Sequence, residues 1–141
     1  MKEKHKRAFM EAAFAFARSS VGERLKVGAV IVKDTTIIAH GYNGKPRALD
    51  GPLEDENNVT LPEVRHAEKN ALMRLIRLNE SAVGATMFLT HSPCFFCSID
   101  IVDAGISKVY YCTSYRCSDG IEHLERNGVP VYQLDIDDQY K

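Results

Sequence analysis

Two short segments hold the residue types that chemistry requires. One is His66-Ala67-Glu68 and the other is Pro93-Cys94-Phe95-Phe96-Cys97. Two thiolates three residues apart lie on one side of a helix turn. With an imidazole they supply three ligands of a tetrahedral zinc site and leave the fourth position to water, the catalytic rather than the closed structural arrangement. Zinc would lower the pKa of that water from about 15.7 toward about 7. Glu68 as a fourth ligand would close the site, so its role is that of a proton shuttle, taking a proton from water, handing it to a ring nitrogen and later protonating a leaving amine. Each piece has a plainer reading when taken alone: His66 as a surface or core histidine, Glu68 as a solvated first-turn acid, and the CxxC as a redox pair. Thioredoxin-like chains place that motif after an early strand, not at residue 94 of 141.

Both segments must open helices just after loops or strand ends. In α/β sheets that is where ligands bind, and helix N-termini favour thiolate charge. Residues 4–18 read as an amphipathic helix, with Phe9, Ala12, Ala13, Phe16 and Ala17 near a 3.6-residue period and its aromatic side chains toward a sheet. Gly22 marks the break after it. Residues 26–32 and 36–42 are β-branched runs, and the Lys33-Asp34-Thr35 link is short enough only for an antiparallel hairpin. Residues 41–62 contain three Gly and three Pro and form a long loop of the kind that is functional or disordered, with 55–58 the best fit to a disordered excursion.

Residues 66–79 are helical, burying Ala67, Ala71, Leu72, Leu75 and Leu78. A strand over 84–91, a helix over 94–104, a strand over 108–114, a helix over 119–128 and a strand over 129–135 complete the order, with a loose polar tail. Later strands that alternate with helices should run parallel. The fold class is therefore α/β: a three-layer α/β/α domain spanning 1–141, with a mixed five-stranded sheet.

The chain is 45% hydrophobic and 26% charged, as in ordinary globular proteins. Its net charge of -1, from 18 basic and 19 acidic residues, advertises no nucleic-acid surface, although a local patch can hide in a neutral sum. Glu11 and Arg18 interrupt the N-terminal apolar residues, so no signal peptide is expected. No run approaches the roughly 20 apolar residues of a membrane span. The expected setting is the cytoplasm, with no membrane partner and all four cysteines reduced. Cys112, Cys117, His91 and His123 match no strong metal-ligand spacing and read as buried thiols and ordinary histidines.

HxE followed by PCxxC is the signature of the zinc nucleobase deaminases. With VGAVIV, GYNGKP, HAEKNAL, SPCFFC, AGISKVYY and Gly128-Val129-Pro130-Val131, the chain resembles the deoxycytidylate (dCMP) deaminases of the cytidine deaminase superfamily, of phage or bacterial type, over about residues 5–135. HAE and PCxxC match the whole superfamily, and GYNGxP is the narrower match. The resemblance implies a cytidine deaminase-like fold and zinc held by His66, Cys94 and Cys97. It implies hydrolytic deamination of dCMP to dUMP and ammonia, feeding dTMP synthesis, with Glu68 moving protons. It places Asn43 at the nucleotide sugar, backbone groups of Ala67 and Ser92 at the base edge, and Tyr115 stacked on the pyrimidine. It further implies a homo-oligomer, most often a hexamer, activated by dCTP and inhibited by dTTP. Asn43, Gly44, Lys45 and Arg77 match that regulatory nucleotide site. The chain departs from the family at His91, often Leu, and at Glu63, often Trp; the second leaves allosteric control open.

A nucleotide phosphate requires cations. Lys45, Arg47, Arg65 and Arg116 are the loop candidates, and Arg116 beside Tyr115 joins a clamp to a stacking face. Each equally fits a solvated charge, as Arg74 and Arg77 fit a surface face, an interface or an effector-phosphate contact. Two rivals stand. One is a deaminase of deoxycytidine, dCTP or tRNA adenosine. The other is a catalytically inactive, zinc-stabilised interaction module, which would have a filled fourth zinc position, no pocket and no use for Glu68.

Overall fold

The computed structural model describes residues 1–115 and 117–141. Its frame is a sheet in the order β2-β1-β3-β4-β5. β1 (Gly28–Lys33) and β2 (Thr36–Tyr42) form the expected hairpin. Asp34 and Thr35 between them both have positive φ, 51° and 56°, the geometry of a two-residue type I′ turn. β1 also pairs antiparallel with β3 (Thr86–His91). β3, β4 (Lys108–Thr113) and β5 (Val131–Gln133) are parallel, as helical crossovers between them require. The sheet is therefore mixed.

Strand alternation sorts the apolar residues into two cores. Val30, Val32, Phe88 and Tyr110 pack with Met10, Ala13 and Phe14 of α1 (Glu3–Ala17). Phe88 lies between the rings of Phe9 and Tyr110. Ala29, Ile31, Met87, Leu89 and Val109 join the opposite core with α2 (Ala67–Arg77), α3 (Phe95–Asp103) and α4 (Asp119–Arg126). Each fully buried Val, Leu or Phe contributes about 1.5–3 kcal/mol. This is the three-layer α/β/α architecture, and His66, Cys94 and Cys97 belong to neither core.

Several expectations need correction, beginning with Leu78, read as buried but exposed as the C-cap of α2, and Cys117, read as a buried thiol but exposed. The tail is not loose: β5 is shorter than the predicted 129–135, but Leu134 N–H donates to Tyr111 O and Ile136 is buried in the α1-side core. Lys141 then pairs with Asp135 and Asp138. The long loop is also organised. Gly44 and Arg65 exchange two backbone hydrogen bonds, Glu54 bridges to Thr60, and the Asp55 carboxylate accepts from the N–H groups of Asn57 and Val59. Leu53 is buried beneath it. Among the described residues, no helix is long and apolar enough to cross a membrane.

Candidate active site

The site forms where two helices begin. α2 sits so close to β2 that a Cβ on Gly41 would lie 2.3 Å from Ala67 O and 2.5 Å from Ala71 N. Only glycine permits that approach. Asn70 of α2 donates its Nδ2 hydrogens to Tyr42 O (2.8 Å) and Gly44 O (3.2 Å), and the Gly44–Arg65 pair fixes the approach to His66. His66 is the extended N-cap of α2, and Glu68 lies in its first turn. Cys94 is the extended N-cap of α3, its Sγ accepting from Cys97 N–H at 3.4 Å. α4 braces this turn: a Cβ on Gly120 would meet Pro93 O at 2.1 Å, and His123 Nδ1 lies 3.0 Å from Ser98 Oγ.

His66 Nδ1 is 3.3 Å from Cys97 Sγ and 3.6 Å from Cys94 Sγ, and the three ligand atoms lie within 4.8 Å of one another. A tetrahedral zinc with Zn–N near 2.0–2.1 Å and Zn–S near 2.3 Å sets N···S at about 3.6 Å. The residues fit the ion. Among the described residues this is the only such cluster of His, Cys, Asp and Glu. Cys112 instead donates to Asp135, His123 pairs with Ser98, and Cys117 is exposed.

The three groups share their protons. The Cys97 thiol donates to Cys94 and lowers that thiol to about 4, a value at which it is a thiolate at neutral pH. The same partnership, reinforced by burial, holds Cys97 protonated. The hydrogen bond with Cys94 raises His66. Glu68 is only 4% exposed, and burial raises its carboxyl above the usual range. A carboxyl moved toward neutrality can both take and return a proton.

A cleft of about 540 Å³ opens over these residues, within the range of small-molecule sites. His66, Ala67, Glu68 and Cys94 line it, with Asn43, Ser92 and Tyr115. Asn43 Oδ1 accepts from Val27 N–H (2.8 Å), and its Nδ2 donates to Leu25 O (2.7 Å), which clamps the wall before β1. Ser92 Oγ accepts from Tyr115 N–H at 2.7 Å, tying the aromatic side chain's segment to the end of β3.

The cations are placed differently from the expectation. Lys45, Arg47 and Arg65 do not line this cleft. The turn Pro46–Ala48 carries Lys45 and Arg47 to a separate small hollow with Tyr42, Asn70, Arg74 and Arg77. Of the proposed regulatory residues, Lys45 and Arg77 meet there, whereas Asn43 and Gly44 line a neighbouring recess with Lys45. Arg116 lies outside the described residues. Arg24, which the sequence reading missed, is the Lys or Arg that does line the cleft among the described residues. Its segment looked like a simple break between α1 and β1, but hydrogen bonds from Asn43, Ser20 and Glu54 hold it at the site.

Comparison with known proteins agrees with this chemistry. Residues 3–113 match the family described as "Cytidine and deoxycytidylate deaminase zinc-binding region". The chain is similar to the dCMP deaminase of cyanophage S-TIM5, solved in complex with dCMP and dUMP. Identity is 44% and the TM-score 0.91, covering 95% of this chain and 99% of that one. The deoxycytidylate deaminase of Mycobacterium phage D29 is 38% identical over 117 residues, covering 73% of this chain and 90% of the relative. ComE operon protein 2 of Bacillus subtilis (strain 168) is 35% identical over 137 residues, covering 92% and 71%.

Proposed function

The chain belongs to the cytidine and deoxycytidylate deaminase family, and from that premise we propose that it hydrolyses dCMP to dUMP and ammonia, a supply for dTMP synthesis. The observation that carries this conclusion is the His66–Cys94–Cys97 triangle beside a buried Glu68 on the wall of an open cleft. His66, Cys94 and Cys97 would hold zinc, which when bound makes a water acidic enough to serve as nucleophile at neutral pH. In the reaction a C–O bond forms at C4 of the cytosine and the C4–N bond breaks. Glu68 takes one proton of the water and delivers it to the ring nitrogen, then takes the proton of the new C4 hydroxyl and passes it to the departing amine, which leaves as ammonia as the C4 carbonyl forms.

The roles of Ala67, Ser92, Tyr115 and Asn43 are those the family resemblance implies, and the placing of these residues on the cleft supports them. Backbone groups of Ala67 and Ser92 hold the base edge, Tyr115 stacks on the ring, and Asn43 faces the sugar from the wall it clamps. Arg24 supplies phosphate charge, together with Arg116. The basic hollow of Lys45, Arg47, Arg74 and Arg77 is suited to an anionic effector, dCTP as activator or dTTP as inhibitor. Exposed Ile76, Leu78 and Val83 on and after α2 support a homo-oligomer, which we take to be a hexamer in the cytoplasm. An interaction module without activity has no use for the cleft or for Glu68.

Ammonia release from dCMP, CMP, dCTP, deoxycytidine and adenosine-containing RNA, each with and without dCTP or dTTP, tests the reading. The expected result is highest kcat/KM for dCMP, raised by dCTP. Preference for the free nucleoside would overturn the phosphate assignment.

A further inference from the structure

His91 ends β3 and has no part in the metal cluster or the proton shuttle. Along this strand Phe88 packs into the α1-side core, while Met87 and Leu89 pack into the α2-side core. His91 continues the second series, on the face of the sheet that carries α2 and α3, and it lines the cleft beside Ser92.

A neighbouring hydroxyl fixes the protonation of its ring. Thr90 is 0% exposed, and among the described residues its Oγ1 has two polar neighbours: Gly28 N–H at 3.0 Å and His91 Nδ1 at 2.8 Å. The backbone N–H can only donate, so Thr90 accepts there. The hydroxyl carries one proton of its own, and among the described residues His91 Nδ1 is the acceptor it has. If His91 donated instead, a buried hydroxyl proton would have no partner, which native interiors avoid. His91 Nδ1 is therefore the acceptor, the ring is neutral, and the second proton sits on Nε2. Burial, which lowers the His91 pKa, acts in the same sense. Among the described residues, Nε2–H has no protein partner.

Resting on the reading of the cleft as a cytosine nucleotide site, we propose that His91 is a further substrate-binding residue, donating its Nε2–H to an oxygen of the bound nucleotide. The base carbonyl, the sugar and the phosphate all offer such oxygens. The Gly28–Thr90–His91 chain holds the donor in one tautomer before substrate arrives, so binding does not have to select it.

The test uses zinc-loaded wild type, His91→Leu and His91→Gln, matched for zinc content and circular dichroism. Steady-state kinetics are measured on dCMP and on deoxycytidine. His91→Leu is expected to lower kcat/KM for dCMP by roughly 10- to 100-fold, mostly through KM, the size of one lost ligand hydrogen bond. His91→Gln, which keeps an N–H donor, should recover a substantial part. A loss that disappears with deoxycytidine assigns the bond to phosphate; a loss seen with both assigns it to base or sugar. Wild-type kinetics in His91→Leu on both substrates, or equal impairment in His91→Gln, would overturn the proposal. A wild type inactive on both substrates would instead refute the reading of the cleft, and this proposal with it. Independently of turnover, long-range ¹H–¹⁵N spectra should show the Nε2–H tautomer for His91; the Nδ1–H tautomer would contradict the assignment.

Discussion

Replacing Gly41 with alanine adds one methyl group where β2 runs beneath the start of α2. The new Cβ would lie 2.3 Å from Ala67 O and 2.5 Å from Ala71 N, both backbone atoms, whereas ordinary contact begins at 3.4 Å. No side-chain rotation relieves this, so α2 must retreat by about 1 Å. Ala67 stands between His66 and Glu68, and the shift therefore moves a metal ligand and the proton shuttle together. Overpacking of this kind costs about 1–3 kcal/mol, roughly 3–10 °C in Tm for a domain of this size. A displacement of about 1 Å in a reacting group costs about 100-fold in rate. Gly41→Ala should therefore remain folded and lose about two orders of magnitude in kcat/KM per folded molecule. The comparison is Met10→Ala, in the core on the opposite face of the sheet, where Met10 is fully buried. That variant should lose about 2–5 kcal/mol and keep near-normal kcat/KM once corrected for its folded fraction. Chemical denaturation and dCMP turnover on the same preparations decide the matter. Gly41→Ala within threefold of wild-type kcat/KM, or Met10→Ala equally impaired, would refute the reasoning.

Two further outcomes follow from the same contacts. Neither core contains a metal ligand, so chelation should abolish activity, added Zn²⁺ should restore it, and cooperative unfolding by far-UV circular dichroism should survive without metal; loss of that cooperativity on chelation would contradict the packing account. His40 stacks on Phe16 and meets Arg74, and burial followed by the Arg74 charge lowers its pKa. As pH falls below about 6.5, the unfolded chain takes up a proton that the folded one still refuses, so this contribution to stability is lost toward acid. The urea midpoint should drop between pH 7.5 and pH 5.5, and His40→Gln should flatten that drop; an unchanged pH slope in His40→Gln would show that His40 is not its source.

The clustering of His66, Cys94 and Cys97 beside Glu68 was legible because it is built from local pairs. His66 and Glu68 share one helix start and Cys94 and Cys97 another, each pair made of an extended N-cap and a first-turn residue. Strand directions followed from the same logic, since a short link forces a hairpin and helical links give parallel neighbours. The cations were not legible. Arg24 reaches the cleft because Asn43, sixteen or more residues away, clamps Val27 and Leu25. Lys45 and Arg47 leave it because the Gly44–Arg65 bridge and the turn at Pro46 redirect the loop. Such partners are distant in sequence and leave no periodicity. The tail misled for a related reason: Ile136 stands alone among polar residues, and its burial against the α1 side is visible only in three dimensions.

The central claim, that Glu68 moves protons at a zinc site acting on dCMP, meets its most direct test in zinc-loaded wild type and Glu68→Ala assayed together for dUMP and ammonia. The wild type should produce both in equal amounts. Glu68→Ala should keep its zinc and its fold while its rate falls by about 10²–10⁴, the range of general acid–base catalysis. Full activity in Glu68→Ala with zinc bound, or a zinc-loaded wild type that leaves dCMP unchanged, would contradict the account.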